Sequence, residues 1–270
     1  MRSTERREVS SPTNSLVKVF RRALAEGTTK QGLLAVEGPF LVEEALNAAP
    51  RAKTHSILVA AGAAEKFAAL LERVPAEAEI TEVSDRLFES VAQTTSPQGI
   101  AALVEVSAYG LEQVVSGADP LVVIACRLQD PGNLGTMIRT ALAFSASAFL
   151  TLQETVSPFN PKAVRASAGA IFRLPLVCGL DPTEALPLLS RRVRLVAADR
   201  HSPTSLVQTD LRGPIGILVG REASGLPKEI ARYANQLLSI PIRKEVDSLN
   251  AATAASIFLY EAARQRGFRY

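Results

Sequence analysis

Three polar stretches interrupt apolar runs in the second half of the chain, and each carries groups suited to chemistry. In QDPGNLGTMIRTALAFSA (129–146), Pro131 and Gly132 set a tight turn and Asn133 is suited to cap a helix. Arg139 falls inside an otherwise apolar helical pattern, where a buried arginine would be paired or at work. The plain alternative is an edge arginine that reaches solvent. In ILVGREASGLP (217–227), Gly220 directly follows an apolar strand and would let a ligand approach the backbone. Gly225 and Pro227 bracket the next turn, and Glu222 lies between the two glycines, where its carboxylate would project into whatever the loop cradles. A surface turn with a solvated glutamate is the plain alternative. In LLSIPIRKEVDSLNAATAASIFLYEAARQR (237–266), Pro241 ends a strand and a charged loop follows. Asp247 or Ser248 is placed to cap a long helix, with capping also the modest reading of Asn250.

More familiar chemistries fail on their own motifs. The turn after the first strand of this half is DPGNLG (130–135), not G-x-G-x-x-G, and no acidic residue closes a strand some twenty residues on. No phosphate-gripping G-x-x-x-x-G-K-[ST] and no G-x-S-x-G elbow occur. Cys126 and Cys178, with His55 and His201, show neither disulfide-framework nor metal-ligand spacing, so a reducing cytoplasm and no structural metal are expected.

The chain has 270 residues, 47% apolar and 21% charged, a globular balance with room for two domains. No run approaches the roughly 18 apolar residues of a membrane span, and MRSTERREVS lacks the apolar run of a secretory signal. Thirty Lys and Arg against 27 Asp and Glu leave a net charge of +3. The excess is concentrated at Arg2, Arg6, Arg7, Lys18, Arg21, Arg22 and Lys30, and again at Arg264, Arg266 and Arg269. Those clusters are either solvated ends or patches for a phosphate backbone, and charge does not choose between them.

The elements that must position the three stretches form two α/β alternations. Residues 1–12 read as a frayed terminus within a basic segment, 1–29. Strands at 33–38, 56–60, 79–84 and 99–106, interleaved with three helices that include an Ala-rich one at 63–73, predict a small α/β sandwich over 30–106. A linker is placed at 107–117, in a Gly- and Ser-containing stretch that extends to 119. From 118 to 270, strands at 121–126, 146–152, 174–177, 193–198, 216–220 and 237–242 alternate with helices near 133–145, 161–171, 183–191, 226–234 and 248–266. That order predicts a mostly parallel sheet covered on both faces, with all three stretches at the C-terminal ends of strands, where open α/β sheets bind ligands.

Taken together, the three stretches resemble the SpoU/TrmH family of RNA ribose 2′-O-methyltransferases, within the SPOUT class of S-adenosylmethionine enzymes. The family's Asn–x–Gly–x–x–x–Arg core matches Asn133, Gly135 and Arg139. Its Gly–x–Glu–x–x–Gly–Leu loop matches Gly220, Glu222, Gly225 and Leu226. Its Ile–Pro strand end followed by Ser–Leu–Asn matches Ile240, Pro241, Ser248, Leu249 and Asn250. Residues 30–106 resemble the ribosomal-protein-like RNA-binding domain that precedes the catalytic domain in many members.

The resemblance implies a trefoil-knotted methyltransferase domain, a homodimer in which the Ala-rich helix 248–266 packs closely, and S-adenosylmethionine without metal. It places the cofactor against Gly220, Ile240 and Leu249, and the chemistry on Asn133, Arg139, Glu222, Ser248 and Asn250. Arg221 stands where the family usually has Asn and Ala223 where it often has Gly; the segment 243–247 is more charged than usual. The implied substrate is structured RNA, ribosomal in preference to transfer RNA. Base methylation by a SPOUT enzyme and a catalytically silent RNA-binding homologue are the alternatives, against which the ribose motif and the intact polar residues argue.

Overall fold

A computed structural model describes residues 6–221, 225–243 and 245–268. The chain divides into two compact units, 1–107 with 159–165, and 108–158 with 166–270.

In the first unit, β1 (Arg6–Val9) precedes α1 (Ser15–Glu26), whose start is capped by Asn14 Oδ1 accepting from Leu16 N at 2.9 Å. Val17, Phe20, Ala23 and Leu24 fall on the buried side of α1, as their helical spacing requires. Next come β2 (Leu34–Glu37), α2 (Pro39–Asn47), β3 (Ala52–Ala60), α3 (Ala61–Ala64), α4 (Ala68–Leu71), β4 (Glu79–Val83), α5 (Asp85–Glu89) and β5 (Ile100–Val106). The strands form one mixed sheet in the order β1-β4-β3-β5-β2.

Two expectations are corrected here. Residues 6–9 are not frayed, because they pair parallel with β4, from Arg6 opposite Ile80 to Val9 opposite Val83. Such pairing is invisible to periodicity, since a charged four-residue edge strand has no apolar pattern to detect. The expected helix at 63–73 is two short helices, and the turn between them seats the Phe67 ring at 8% exposure.

The second unit runs α6 (Leu111–Val114), β6 (Leu121–Ala125), α7 (Pro131–Ala143) and β7 (Ala148–Leu152), and resumes after α8 (Pro161–Ser167), most of which belongs to the first unit, with β8 (Leu176–Leu180), α9 (Pro182–Ser190), β9 (Arg194–Ala198), β10 (Ile215–Val219), α10 (Lys228–Ala231), β11 (Gln236–Leu238) and α11 (Ala251–Gln265). Residues 111–114 lie within the stretch read as a linker; Val114 and Val115 are buried in this unit's core, so apolar burial draws them into the fold. The sheet is wholly parallel, in the order β11-β9-β10-β6-β7-β8. The chain builds outward from β6 to β8, then returns to lay β9, β10 and β11 on the other side. Reversals of this kind open a crevice at the C-terminal strand ends. Cys126 lies in the core, and burial pushes its thiol up to about 12, which leaves it an unreactive packing residue.

Candidate active site

Helix α7 starts as its sequence dictates. Pro131 occupies the first helical position, where a missing N–H costs nothing, and Asp130 Oδ1 accepts from Asn133 N at 2.8 Å. Asp130 is therefore the cap, and Asn133, inside the first turn, has a different task. That task links two helices. Asn250 Nδ2 donates to Asn133 Oδ1 at 2.9 Å, while Asn250 Oδ1 caps α11 by accepting from Ala252 N at 2.9 Å and Thr253 N at 3.2 Å. Farther along the same two helices, Ser256 Oγ lies 3.3 Å from Thr140 Oγ1. Asn250 thus provides the cap expected of Asp247 or Ser248, and α11 begins at Ala251 rather than 248.

The expected alanine face of α11 is also corrected. Ala251, Ala252, Ala255, Ala262 and Ala263 are all at most 5% exposed within a single chain. Small side chains here let α11 approach the rest of its own unit, α7 and β10 included, so they are not held in reserve for a second subunit.

Gly220, at the end of β10, must be glycine because the chain folds back onto it. A Cβ there would stand 2.4 Å from Gly225 O and 2.7 Å from Leu226 N. The return is closed by Arg221 N donating to Gly225 O at 3.2 Å and Gly225 N donating to Arg221 O at 2.9 Å. Gly225 takes a left-handed φ of +63° that a side chain would strain. Glu222 and Ala223 lie outside the described residues. Beyond this loop, Glu229 on α10 is held by Arg127 at 3.0 Å, and the same guanidinium holds Glu154 at 3.0 Å.

At these strand ends lies a cavity of about 580 Å³, a size suited to a nucleoside-bearing cofactor. Gly220, Ile240, Ser248 and Leu249 all line it. The backbone N–H and C=O groups of Ile240 and Leu249 have no partner among the described residues, which leaves donors and acceptors for a ligand. Four of the eight expected site residues therefore share one cavity. Asn133 and Asn250 meet each other instead of lining it. Arg139 is exposed on α7 and makes no hydrogen bond or ion pair with a described residue, a guanidinium open to an incoming group.

Sequence reasoning missed Asp199, Arg200 and His201, which follow β9 and line the same cavity. Arg200 Nε donates to His201 Nε2 at 2.9 Å, and Arg200 Nη1 donates to Asp247 O, which ties this corner to the loop ahead of Ser248. The available signal was a charged triplet directly behind a buried apolar strand. Among the described residues, no group of three or more His, Cys, Asp or Glu is placed to hold a metal ion. Among the same residues, no helix is long and apolar enough to cross a membrane.

Residues 120–260 match the model of the SpoU rRNA methylase family, and residues 24–102 match that of an MRM3-like substrate-binding domain. An uncharacterized tRNA/rRNA methyltransferase of Synechocystis is 31% identical over 96% of this chain and 94% of its own length. A 23S rRNA uridine 2′-O-methyltransferase of Streptomyces viridochromogenes is 33% identical over 74% of this chain and 72% of its own. Among solved structures, the SpoU methyltransferase AviRb from Streptomyces viridochromogenes, in complex with AdoMet, superposes with a TM-score of 0.84. It is 28% identical, covering 94% of this chain and 98% of that one. An AdoMet-bound rRNA methyltransferase from Sinorhizobium meliloti gives a TM-score of 0.81 at 32% identity, over 96% and 98% of the two chains. On its strand-end cavity, its glycine loop and these matches, the chain belongs to the SpoU rRNA methylase family.

Proposed function

We propose that this chain transfers a methyl group from S-adenosylmethionine to a ribose 2′-hydroxyl of ribosomal RNA. The observation that carries the reading is the strand-end cavity, lined by Gly220, Ile240 and Leu249 at a size that fits the cofactor. When bound, the cofactor supplies a methyl carbon already activated by a sulfonium leaving group. The chain's own work is then alignment, proton acceptance and charge stabilisation. Backbone groups of Ile240 and Leu249 hold the adenosine portion. The paired backbones of Arg221 and Gly225 fix one cavity wall, and Ser248 orients what enters from the α11 side.

Arg139 holds the RNA. A guanidinium carries N–H donors and no acceptor, so it is unsuited to be the base. It pins the phosphate next to the target ribose and stabilises negative charge developing on the 2′-oxygen. Glu222 takes the hydroxyl proton. Asn133 and Asn250, bonded to each other, keep the starts of α7 and α11 in register so that the two reactants meet.

The finer features follow the same reading. Residues 30–106 select the RNA, with the basic segment 1–29 adding phosphate contacts, and 118–270 carry the chemistry. The knot is formed by the second and third of the three polar stretches, 217–227 and 237–266. Leu206 N donates to Ser239 O at 2.8 Å and Ser239 N to Thr204 O at 2.9 Å, which ties the start of the third stretch to the segment after β9. The enzyme works as a homodimer in the cytoplasm and without metal. An aromatic group suits the dimer contact: Tyr260, 49% exposed, has its ring centroid 5.8 Å from those of both Phe144 and Phe268.

Mapping 2′-O-methyl sites on total RNA, with and without the protein, tests the function. One ribosomal ribose should depend on it. Dependence of a transfer RNA site or of a base methyl group instead would overturn the substrate assignment. Activity lost to chelators would remove the metal-free part, and a monomer by light scattering would remove the dimer.

A further inference from the structure

The polar corner after β9 has no role in the reading above. Asp199 follows the last residue of that strand and is fixed there by its own N–H, which donates to Leu238 O at 2.9 Å. Its carboxylate accepts from His201 N through Oδ1 at 2.9 Å, closing a tight turn. The His201 ring is in turn held by Arg200, whose guanidinium also reaches Asp247 O, one residue before Ser248. The carboxylate is thereby anchored between a central strand and the loop that leads to Ser248 and Leu249, and both sides line the same cavity.

A carboxylate offers about four acceptor positions, and the turn to His201 uses one. No other described residue donates to the Asp199 carboxylate. A vicinal diol needs two acceptors at close spacing, and a fixed carboxylate at a strand's C-terminal end supplies them without reorganisation. The adenosine ribose carries such a diol. The competing account is an Asp that only shapes its own turn, which explains one acceptor and leaves the others facing a ligand-sized space.

We propose that Asp199 is a ribose-binding residue of this cavity, accepting hydrogen bonds from the 2′- and 3′-hydroxyls of the cofactor's adenosine. Arg200 and His201 are positioning residues that hold the carboxylate in place. The inference rests on the cofactor reading above and adds the residue that separates ribo- from deoxyribo-ligands.

The test is calorimetry on the full chain with S-adenosylhomocysteine and with its 2′,3′-dideoxy analogue. The unmodified protein should bind the ribo-ligand roughly tenfold or more tighter. Asp199→Ala should weaken the ribo-ligand roughly ten- to hundredfold while changing the dideoxy analogue less than about threefold, so that the preference collapses. Asp199→Asn, which keeps the turn and one acceptor, should fall between. Equal losses for both ligands would reduce Asp199 to a structural role, and an unchanged preference would remove it from the ribose. Weakened binding of S-adenosylmethionine alone, with the homocysteine product unaffected, would move the carboxylate to the sulfonium and overturn the proposal. Failure of the unmodified protein to bind either compound would instead strike the cofactor reading itself.

Discussion

Asn250 serves two helices with one side chain: its oxygen caps α11 while its amide nitrogen donates to Asn133 Oδ1 on α7 at 2.9 Å. The cap fixes which end of the amide is oxygen, because only oxygen can accept from Ala252 N, and that leaves the NH2 aimed at Asn133. The two single substitutions should therefore differ. Asn250→Ala loses both cap and link, which should cost about 1 kcal/mol and lower Tm by about 2–4 °C. Asn133→Ala loses the link but keeps the Asp130 cap, so thermal unfolding should move less. Both should slow methyl transfer, and Asn250→Asp should restore the thermal stability without restoring the rate.

Gly220 gives the sharpest steric prediction. Because an added Cβ would sit 2.4 Å from Gly225 O, Gly220→Ala should push the Gly225–Leu226 backbone away from the end of β10. A cost of about 1–3 kcal/mol is expected from such overpacking. Calorimetric affinity for S-adenosylhomocysteine should fall at least about tenfold, while RNA binding by the full chain should hold. An alanine variant with unaltered cofactor affinity would show that the loop does not shape the cavity.

What could be read from the residues divides along physical lines. The parallel sheet was legible because LVVIAC and GILVG are runs that only a strand buried on both faces tolerates. Gly220 was legible as a site of close backbone approach, although the approaching group proves to be the loop's own Gly225. Asp199 was signalled only by its place in a charged triplet behind an apolar strand, and nothing local distinguishes an acid that follows a cavity-lining strand from one that begins a surface turn. The buried alanines of α11 point the same way: small residues signal close packing but not its partner, and here the partner is the same chain. Strand β1 was hidden because its pairing with β4 is a long-range choice made by backbone, with no apolar code in Arg6–Val9.

Acid should loosen the C-terminal helix. Glu261 is 7% exposed and accepts from Arg264 Nη2 at 2.7 Å and Gln265 Nε2 at 2.7 Å. Arg264, then Gln265, hold its carboxyl below the ordinary 4.5 despite opposing burial. A depressed folded-state value means its stabilisation is present above about pH 4.5 and is lost as pH falls through the lower folded value. Gln265 also ties α11 to the 206–211 segment through Leu211 N and Thr209 O, so the loop after β9 should loosen with it. Glu261→Gln should lower Tm at pH 7 and flatten the Tm profile below pH 5. An unchanged acid limb would assign the acid sensitivity to other carboxylates.

Arg139 separates binding from chemistry more cleanly than any other side chain. It is exposed and bonded to no described residue, so Arg139→Ala should change stability by no more than about 0.5 kcal/mol. It does not line the cavity, so affinity for S-adenosylhomocysteine should also be unmoved. Methyl transfer, by contrast, should drop about 100-fold or more, as for loss of a donor aimed at developing charge. Arg139→Lys keeps the charge but not the planar fork, and should recover part of the RNA affinity with little of the rate. Removing residues 1–106 makes the complementary comparison, because it should spare cofactor binding, abolish selective RNA binding and flatten the salt dependence of what remains. Loss of cofactor affinity on Arg139→Ala would move this residue to the cavity. A fragment beginning at 107 that methylates the correct nucleotide as efficiently as the whole chain would move RNA selection into the second unit.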